Sequence, residues 1–236
     1  MAHSEPIVVG LDLGTSAVKA ILVDSGQSVL AAAELPLSTS RPEAGWSEQS
    51  AEDWWHAVLG VLGRLREIAP GPYAEVRAVG LSGQMHAALL LDAAGKPLRP
   101  AILWNDGRAM QECDELQRRF PALPQVAGVL PMPGLTAPKV LWLSRHEPEA
   151  LKRTATVLPA KDYVRLQLTG ERFTDMSEAA GTLWLDQGRR CWSEAAVEAS
   201  GLALCQMPAL VEGTAPAGVV LPELCARLGW RPGVLM

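Results

Sequence analysis

The chain has few of the residues that build disulfide frameworks and metal centres. Its 236 residues include four Cys and four His, and only two Phe and two Tyr. The cysteines are Cys113, Cys191, Cys205 and Cys225. No two of them have CxxC spacing, and the histidines are equally scattered, which argues against a zinc site. We therefore expect reduced cysteines with structural roles.

Long apolar runs and an excess of positive charge are also missing. No window reaches the roughly 18 apolar residues that a bilayer-spanning helix needs, and the polar residues 1–6 predict no signal peptide. Lys and Arg total 21 against 26 Asp and Glu, for a net charge of −5. This balance disfavours nucleic acid and anionic membranes as partners. We expect a cytoplasmic protein.

The composition that remains is globular, with an unusual number of tryptophans. Hydrophobic residues make up 48% of the chain and charged residues 20%, which is compatible with a well-buried core. There are eight Trp. Because Trp54, Trp55 and Trp142 lie on apolar helix faces, we predict that all three pack in the core.

The first third of the chain predicts strands around one helix. Residues 7–35 have the β-branched runs and tight turns of three consecutive strands. Ser50 is predicted to cap the following helix, with Asp53 as its capping-box partner, and Pro70 to end it. Residues 76–82 predict the next strand, so the order is β-β-β-α-β.

The remainder is predicted to be richer in helix. Residues 87–91 and 98–103 suggest two further strands, and residues 111–120 a helix. Later short helices are predicted at 137–146, 147–153, 161–168, 193–200 and 221–228. We expect a core of sheet and helices over about 7–120, with a helix-rich part over 121–236 packed against it.

A glycine- and hydroxyl-rich turn follows the first strand, in the run Asp12-Leu13-Gly14-Thr15-Ser16. Glycine lets the backbone approach a phosphate closely, so that N–H groups can point at it. The Asp12 carboxylate is suited to Mg²⁺ that bridges phosphate oxygens. An ordinary hairpin turn is the alternative reading of the same residues.

Five short motifs occur in a fixed order, in the segments 12–16, 83–86, 103–108, 135–139 and 175–186. Together they closely resemble the N-terminal half of the xylulose kinases, within the carbohydrate kinases that also include glycerol, gluconate and ribulose kinases. The β-β-β-α-β order is similar to the ribonuclease-H-like fold of actin and hexokinase. The resemblance implies an α/β fold with a mixed sheet, helices on both faces and a helix-rich insertion in the second half.

The resemblance also implies roles for residues on the phosphate side. Asp12 matches the carboxylate that orders Mg²⁺–ATP through water. Gly14, Thr15 and Ser16 match the phosphate-facing turn. Lys19 is either a cation near the transferred phosphoryl group or a solvated strand residue.

On the sugar side, Met85 and His86 match the positions that contact the sugar in xylulose kinases. Trp104 is expected as an apolar platform for the sugar and Asp106 as an acceptor from its hydroxyls. The alternatives are a core histidine at a strand end and a capped turn with Trp104 in the core. Two weaker candidates, Lys139 and Asp175, are either site residues or plain helix and turn residues.

The implied function is ATP-dependent phosphorylation of D-xylulose to D-xylulose 5-phosphate. The family's base aspartate lies in a Gly-Gly-Gly-Asp-Asn segment that is not found in these 236 residues. We therefore expect residues 1–236 to be the N-terminal sugar-binding domain of a two-domain kinase, with the C-terminal ATP-binding domain absent and little activity alone. The alternatives are a catalytically dead sugar-binding or regulatory module, and a kinase for another sugar or polyol. A homodimer stays open for the full-length protein.

Overall fold

The computed structural model describes residues 6–236, and residues 1–5, with His3 and most of the polar start, lie outside the described part. Short strands and helices alternate along the chain. The strands are β1 (Ile7–Leu13), β2 (Ala17–Val23), β3 (Val29–Pro36), β4 (Glu48–Gln49), β5 (Val76–Gly83), β6 (Leu89–Leu91), β7 (Ala101–Ile102), β8 (Thr156–Leu158), β9 (Phe173–Asp175), β10 (Leu185–Asp186), β11 (Cys191–Trp192) and β12 (Ala209–Val211). The helices are α1 (Ala51–Ile68), α2 (Pro70–Ala74), α3 (Met110–Arg119), α4 (Leu123–Ala127), α5 (Thr136–His146), α6 (Pro148–Lys152), α7 (Ala160–Thr169), α8 (Met176–Ala180), α9 (Glu194–Ala199) and α10 (Pro222–Leu228).

A mixed four-stranded sheet forms the centre of the fold, in the spatial order β3-β2-β1-β5. The first three strands pair antiparallel, and β5 runs parallel to β1. The last residues of the chain extend this sheet. Leu235 bridges Ala78 in the parallel sense, and its carbonyl accepts from the Val79 N–H at 2.8 Å. The predicted β-β-β-α-β order is confirmed.

The two faces of the sheet differ in their cover. Side chains alternate between faces along a strand, and Val9 and Leu22 are buried on the face packed by α1. On the opposite face Val8 is 37% and Ile21 40% exposed. Helix α1 therefore covers one face at the centre of the sheet, and Val8 and Ile21 on the other face are partly exposed.

Helix α1 follows from its local sequence. Ser50 caps it as predicted, although its hydroxyl accepts from the Glu52 N–H at 3.2 Å and not from that of Asp53. Apolar residues recur at helical spacing, so one face of the helix is buried against the sheet. Helix α1 ends before Pro70, and Pro70 also begins the short helix α2. A proline is tolerated there because the first N–H groups of a helix have no partner within the helix.

The buried residues form two apolar clusters. The first joins the sheet, α1, α7 and the chain end, where Val220, Trp230 and Val234 are buried. The second joins α3, α4, α5 and α9. The helix-rich second half thus divides between both clusters, and it also contains short strands, β8 to β12, that periodicity did not predict. Strands of two or three residues are too short to show a period of two.

Tryptophan and cysteine burial follows the predictions in part. Trp54 and Trp142 are buried, whereas Trp55 is half-buried and packs at the edge of the first cluster. All four cysteines are unpaired. Cys113 and Cys225 are buried, while Cys191 and Cys205 are exposed. A packing role therefore fits the buried cysteines alone.

Over residues 6–236, none of the helices combines the length and apolar character that crossing a membrane requires.

Candidate functional site

The turn between β1 and β2 holds the predicted phosphate-binding residues. The Gly14 N–H donates to the Ala17 carbonyl at 3.0 Å and closes the turn. A Cβ on Gly14 would lie 2.9 Å from that oxygen, so the close approach requires glycine. The Gly14 amide is therefore bonded within the turn rather than directed at a phosphate, whereas Ser16 is exposed.

Asp12 is exposed near the C-terminal end of β1. Its cross-strand neighbours are Lys19 on β2 and Ser82 on β5. The Ser82 hydroxyl donates to Asp12 Oδ1 at 2.8 Å. All three side chains line a cavity of about 510 Å³ over the open face of the sheet. Carboxylate, ammonium and hydroxyl groups therefore line the same cavity on this surface.

The surroundings of Asp12 suit a cation that arrives together with a phosphate ligand. Within residues 6–236, no group of three or more His, Cys, Asp or Glu side chains is placed to hold a metal ion. Mg²⁺ at phosphate sites is commonly held by one or two carboxylates together with phosphate oxygens. A single exposed carboxylate fits that donor set, and Asp12 is the residue that would supply it.

Thr15 connects the turn to the rest of the site. Its hydroxyl donates to Gln84 Oε1 at 3.2 Å and accepts from Trp104 Nε1 at 3.0 Å. The hydroxyl is thus used within the protein, which differs from the predicted contact with phosphate. Its position links the loop after β5 to the loop that carries Trp104.

A buried pair of glutamines supports this connection. Gln49 Nε2 donates to the Thr15 carbonyl at 2.6 Å. Gln49 Oε1 accepts from Gln84 Nε2 and from Trp54 Nε1, each at 2.8 Å. The bonds run from α1 through β4 to the end of β5 and the β1–β2 turn. A buried polar network with its members bonded fixes the relative positions of those elements.

Met85 and His86 lie just beyond the end of β5, after Gln84. Met85 is 46% exposed, and His86 is half-buried with φ of 64°, a left-handed conformation that is uncommon for residues other than glycine. Burial, with a smaller effect of the Lys139 charge, lowers the pKa of His86 to about 4. The imidazole is therefore neutral near pH 7, with one nitrogen that donates and one that accepts.

The turn after β7 presents Trp104 and buries Asp106. Trp104 is 44% exposed, so its ring can serve as the predicted platform. Asp106 was predicted to accept from sugar hydroxyls, but its carboxylate has no exposed surface. One oxygen accepts from the Ser47 N–H at 2.6 Å and both accept from the Arg108 guanidinium, at 2.7 and 2.9 Å. Asp106 therefore holds the turn that carries Trp104.

Two residues of the segment 175–186 reach His86. Glu178 Oε1 accepts from the His86 N–H at 2.9 Å. A methyl group at Gly181 would overlap the His86 imidazole at Nε2 and Cδ2, so the ring lies directly against the Gly181 backbone. No local signal could assign roles to Glu178 and Gly181, because their contacts with His86 span more than ninety positions.

Comparison with known proteins identifies the family. The profile of the "FGGY family of carbohydrate kinases, N-terminal domain" matches residues 7–236. This chain belongs to the FGGY family. It is 49% identical to the xylulose kinase of Escherichia coli K12, over 94% of this chain and 45% of that protein. It is 40% identical to the xylulose kinase of Bacillus subtilis, over 94% and 45%.

Solved structures of FGGY kinases give the same result for the fold. A "xyloylose kinase" from Brucella ovis superposes with a TM-score of 0.95 at 46% identity, covering 97% of this chain and 47% of that one. The gluconate kinase of Lactobacillus acidophilus has a TM-score of 0.91 at 24% identity, a likeness of fold alone. The chain spans about half the length of the relatives it matches.

In this FGGY domain the candidate residues that are exposed or half-buried form two groups. Asp12, Ser16 and Lys19 lie at the turn and the open sheet face. The second group follows β5 and β7 and consists of Met85, His86 and Trp104. The hydrogen bond from Trp104 to Thr15 joins the two groups.

Proposed function

We propose that the protein carrying this chain phosphorylates D-xylulose with ATP, giving D-xylulose 5-phosphate, and that residues 6–236 bind the sugar. The observation that carries this proposal is the 49% identity with the Escherichia coli xylulose kinase along 94% of the chain. The exposed side chains of Met85 and Trp104 and the half-buried His86 support it, since they offer apolar surface together with a hydrogen-bond donor and an acceptor to a neutral sugar.

On the phosphate side, Asp12, Ser16 and Lys19 are proposed to receive the end of ATP that reacts. Asp12 would hold Mg²⁺, which when bound supplies the positive charge that phosphate oxygens need beside a carboxylate. The Lys19 ammonium, next to Asp12 across the strands, attracts the same oxygens. Ser82 orients Asp12 through its hydrogen bond.

On the sugar side, the neutral His86 imidazole would donate to one hydroxyl and accept from another. The exposed ring of Trp104 packs against the apolar face of the sugar, and Thr15 fixes the orientation of that ring. These residues would contribute mainly by positioning the acceptor hydroxyl relative to the phosphate. Phosphoryl transfer depends on such alignment and on charge.

Calorimetric titration of this chain with D-xylulose, glycerol and gluconate tests the substrate class. We expect D-xylulose to bind at least about tenfold more tightly than the other two, because a site that hydrogen-bonds one polyol rejects others that leave its polar groups unpaired. Tryptophan fluorescence should change on binding in the parent chain and less in Trp104→Phe.

A matched control separates the sugar site from general effects of tryptophan replacement. Trp192→Phe changes a half-buried tryptophan whose Nε1 donates to the Pro208 carbonyl, away from the site. We expect its fluorescence response to D-xylulose to equal that of the parent. Tighter binding of glycerol or gluconate than of D-xylulose contradicts the proposed substrate.

A further inference from the structure

The backbone of His86 is held on both sides by side chains. Its N–H donates to Glu178 Oε1 at 2.9 Å. Its carbonyl accepts from Lys139 Nζ at 2.8 Å and from the Thr136 hydroxyl at 3.2 Å. Two helices, α5 and α8, thus supply the three groups that fix the peptide units on either side of a left-handed residue.

A left-handed histidine persists only where its surroundings impose the conformation. His86 has a Cβ that crowds its own backbone at φ of 64°, and the relaxed conformations of such a residue lie at negative φ. The hydrogen bonds that His86 makes with Lys139, Thr136 and Glu178 oppose this relaxation. They therefore determine where the imidazole points.

Burying Lys139 and Glu178 costs desolvation free energy, and packing alone does not explain why ionisable side chains occupy these positions. Lys139 has no exposed surface. Its burial lowers its pKa to about 7, against the opposing effect of the Asp106 charge. Burial likewise raises the pKa of Glu178 to about 7. Ionisable groups that are desolvated and converge on one peptide segment are typical of functional sites.

Asp175 fixes the helix from which Glu178 extends. Its Oδ1 accepts from the Glu178 N–H at 3.0 Å and caps α8. Its other oxygen pairs with Lys161 Nζ at 2.5 Å, and Lys161 also pairs with the buried Asp162 at 2.7 Å. The two weaker candidates of the sequence, Lys139 and Asp175, are thereby both connected to His86.

We propose that Lys139 and Glu178 are positioning residues that hold the His86 backbone in its left-handed conformation and so direct the imidazole to the sugar. The inference rests on the proposed function only for the identity of the ligand. A plain packing role for Lys139 predicts instead that an apolar side chain of similar size leaves His86 unchanged.

Variants of this chain distinguish the two roles. Lys139→Met and Glu178→Leu each remove one bond to the His86 peptide groups, whereas Glu178→Gln keeps an acceptor oxygen in the same place. Leu141→Ala is the control, because it opens a cavity in the second apolar cluster on the same helix, α5. It lowers stability without removing a bond to His86.

Two readouts are needed. Calorimetry gives the affinity for D-xylulose. The NMR coupling between HN and Hα of His86, taken together with the HN–Hα distance, which is short only at positive φ, reports its φ without any ligand. We expect Lys139→Met and Glu178→Leu to weaken D-xylulose binding by about tenfold or more, because small displacements of a positioned group have large effects. The His86 coupling should change in those two variants and stay at the parent value in Glu178→Gln and Leu141→Ala.

The outcomes separate this proposal from the proposed function. An unchanged His86 coupling together with an unchanged HN–Hα distance in both Lys139→Met and Glu178→Leu overturns the positioning role. If Lys139→Met does not fold, Thr136→Val removes the other donor to the same carbonyl and is judged by the same readouts. Failure of the parent chain to bind D-xylulose overturns the proposed function, while the coupling still decides the positioning role.

Discussion

Gly181 lies against the imidazole of His86, and this contact makes a single methyl group informative. The Gly181 φ of −77° is allowed for any residue, so Gly181→Ala introduces no backbone strain. The added Cβ overlaps the imidazole, which must move. We predict that Gly181→Ala weakens D-xylulose binding by about ten- to a hundredfold with little change in melting temperature, measured by calorimetry and thermal unfolding.

The control for this prediction is Gly63→Ala on α1. A Cβ at Gly63 meets no atom within 4 Å, and its helical position favours alanine. Gly63→Ala should leave D-xylulose affinity unchanged and raise stability by about 0.5–1 kcal/mol. Equal affinities for the Gly181→Ala and parent chains would show that the imidazole does not occupy its described position during binding.

The lowered pKa of Lys139 leads us to predict that the free energy of unfolding depends on pH. Its pKa is 10.5 when solvated and about 7 in the folded protein. Between these values the unfolded chain binds more protons, so the free energy of unfolding rises with pH, by up to about 1.4 kcal/mol per pH unit. Chemical denaturation at pH 7.5, 8.5 and 9.5 should show this rise.

The matched variant for the pH experiment is Lys139→Met, which has no titrating group at this position. The difference in free energy of unfolding between parent and variant should move in favour of the parent as pH increases. Titrating groups far from Lys139 are shared by the two chains and cancel in that difference, and His86, whose pKa of about 4 also depends on the Lys139 charge, stays neutral in this pH range. A difference that stays constant from pH 7.5 to 9.5 contradicts a depressed pKa for Lys139.

At the scale of elements, the glutamine pair joins α1, β4, the end of β5 and the β1–β2 turn. Gln84→Leu removes the acceptor of the Thr15 hydroxyl and one donor to Gln49. We predict a loss of about 1–3 kcal/mol in the free energy of unfolding, because buried polar groups are left without partners. Urea denaturation measures this loss.

The same network should show coupling between β4 and the end of β5. In a double-mutant cycle with Gln49→Leu, the loss for both substitutions should be smaller than the sum of the single losses by about 0.5–3 kcal/mol. Additive losses would mean that the two glutamines act independently. The control pair, Gln84→Leu with Leu141→Ala, lies in separate parts of the fold and should be additive.

At the scale of the whole molecule, the chain end completes the first apolar cluster. Trp230 is 5% exposed and its ring centroid lies 5.5 Å from that of Tyr73. We predict that Trp230→Ala lowers the free energy of unfolding by about 3–5 kcal/mol, the usual range for a large aromatic residue in a core. D-xylulose affinity of the folded fraction should not change.

Trp230→Phe is the conservative comparison. It keeps an aromatic ring near Tyr73 and removes an indole N–H that has no hydrogen-bond partner in residues 6–236. Its cost should therefore be clearly smaller than that of Trp230→Ala. A similar loss in both variants would mean that the smaller ring of Phe does not replace the packing of the indole against Tyr73.

The sequence alone determined the parts of this protein that depend on neighbours along the chain. The strands of residues 7–36 and helix α1 follow from hydrophobic periodicity and turn residues, which act over a few positions. The order of the motifs was likewise sufficient to indicate the carbohydrate kinase family that the profile identifies.

Only the tertiary structure decided which polar groups are left to meet a ligand. Asp106 is bonded internally and Thr15 holds Trp104, although both were expected to face ligands. Lys139 and Glu178 reach His86 from 53 and 92 positions away. A polar side chain binds a ligand only through hydrogen-bonding capacity that is not already used inside the protein, and that depends on partners brought together by packing rather than by sequence.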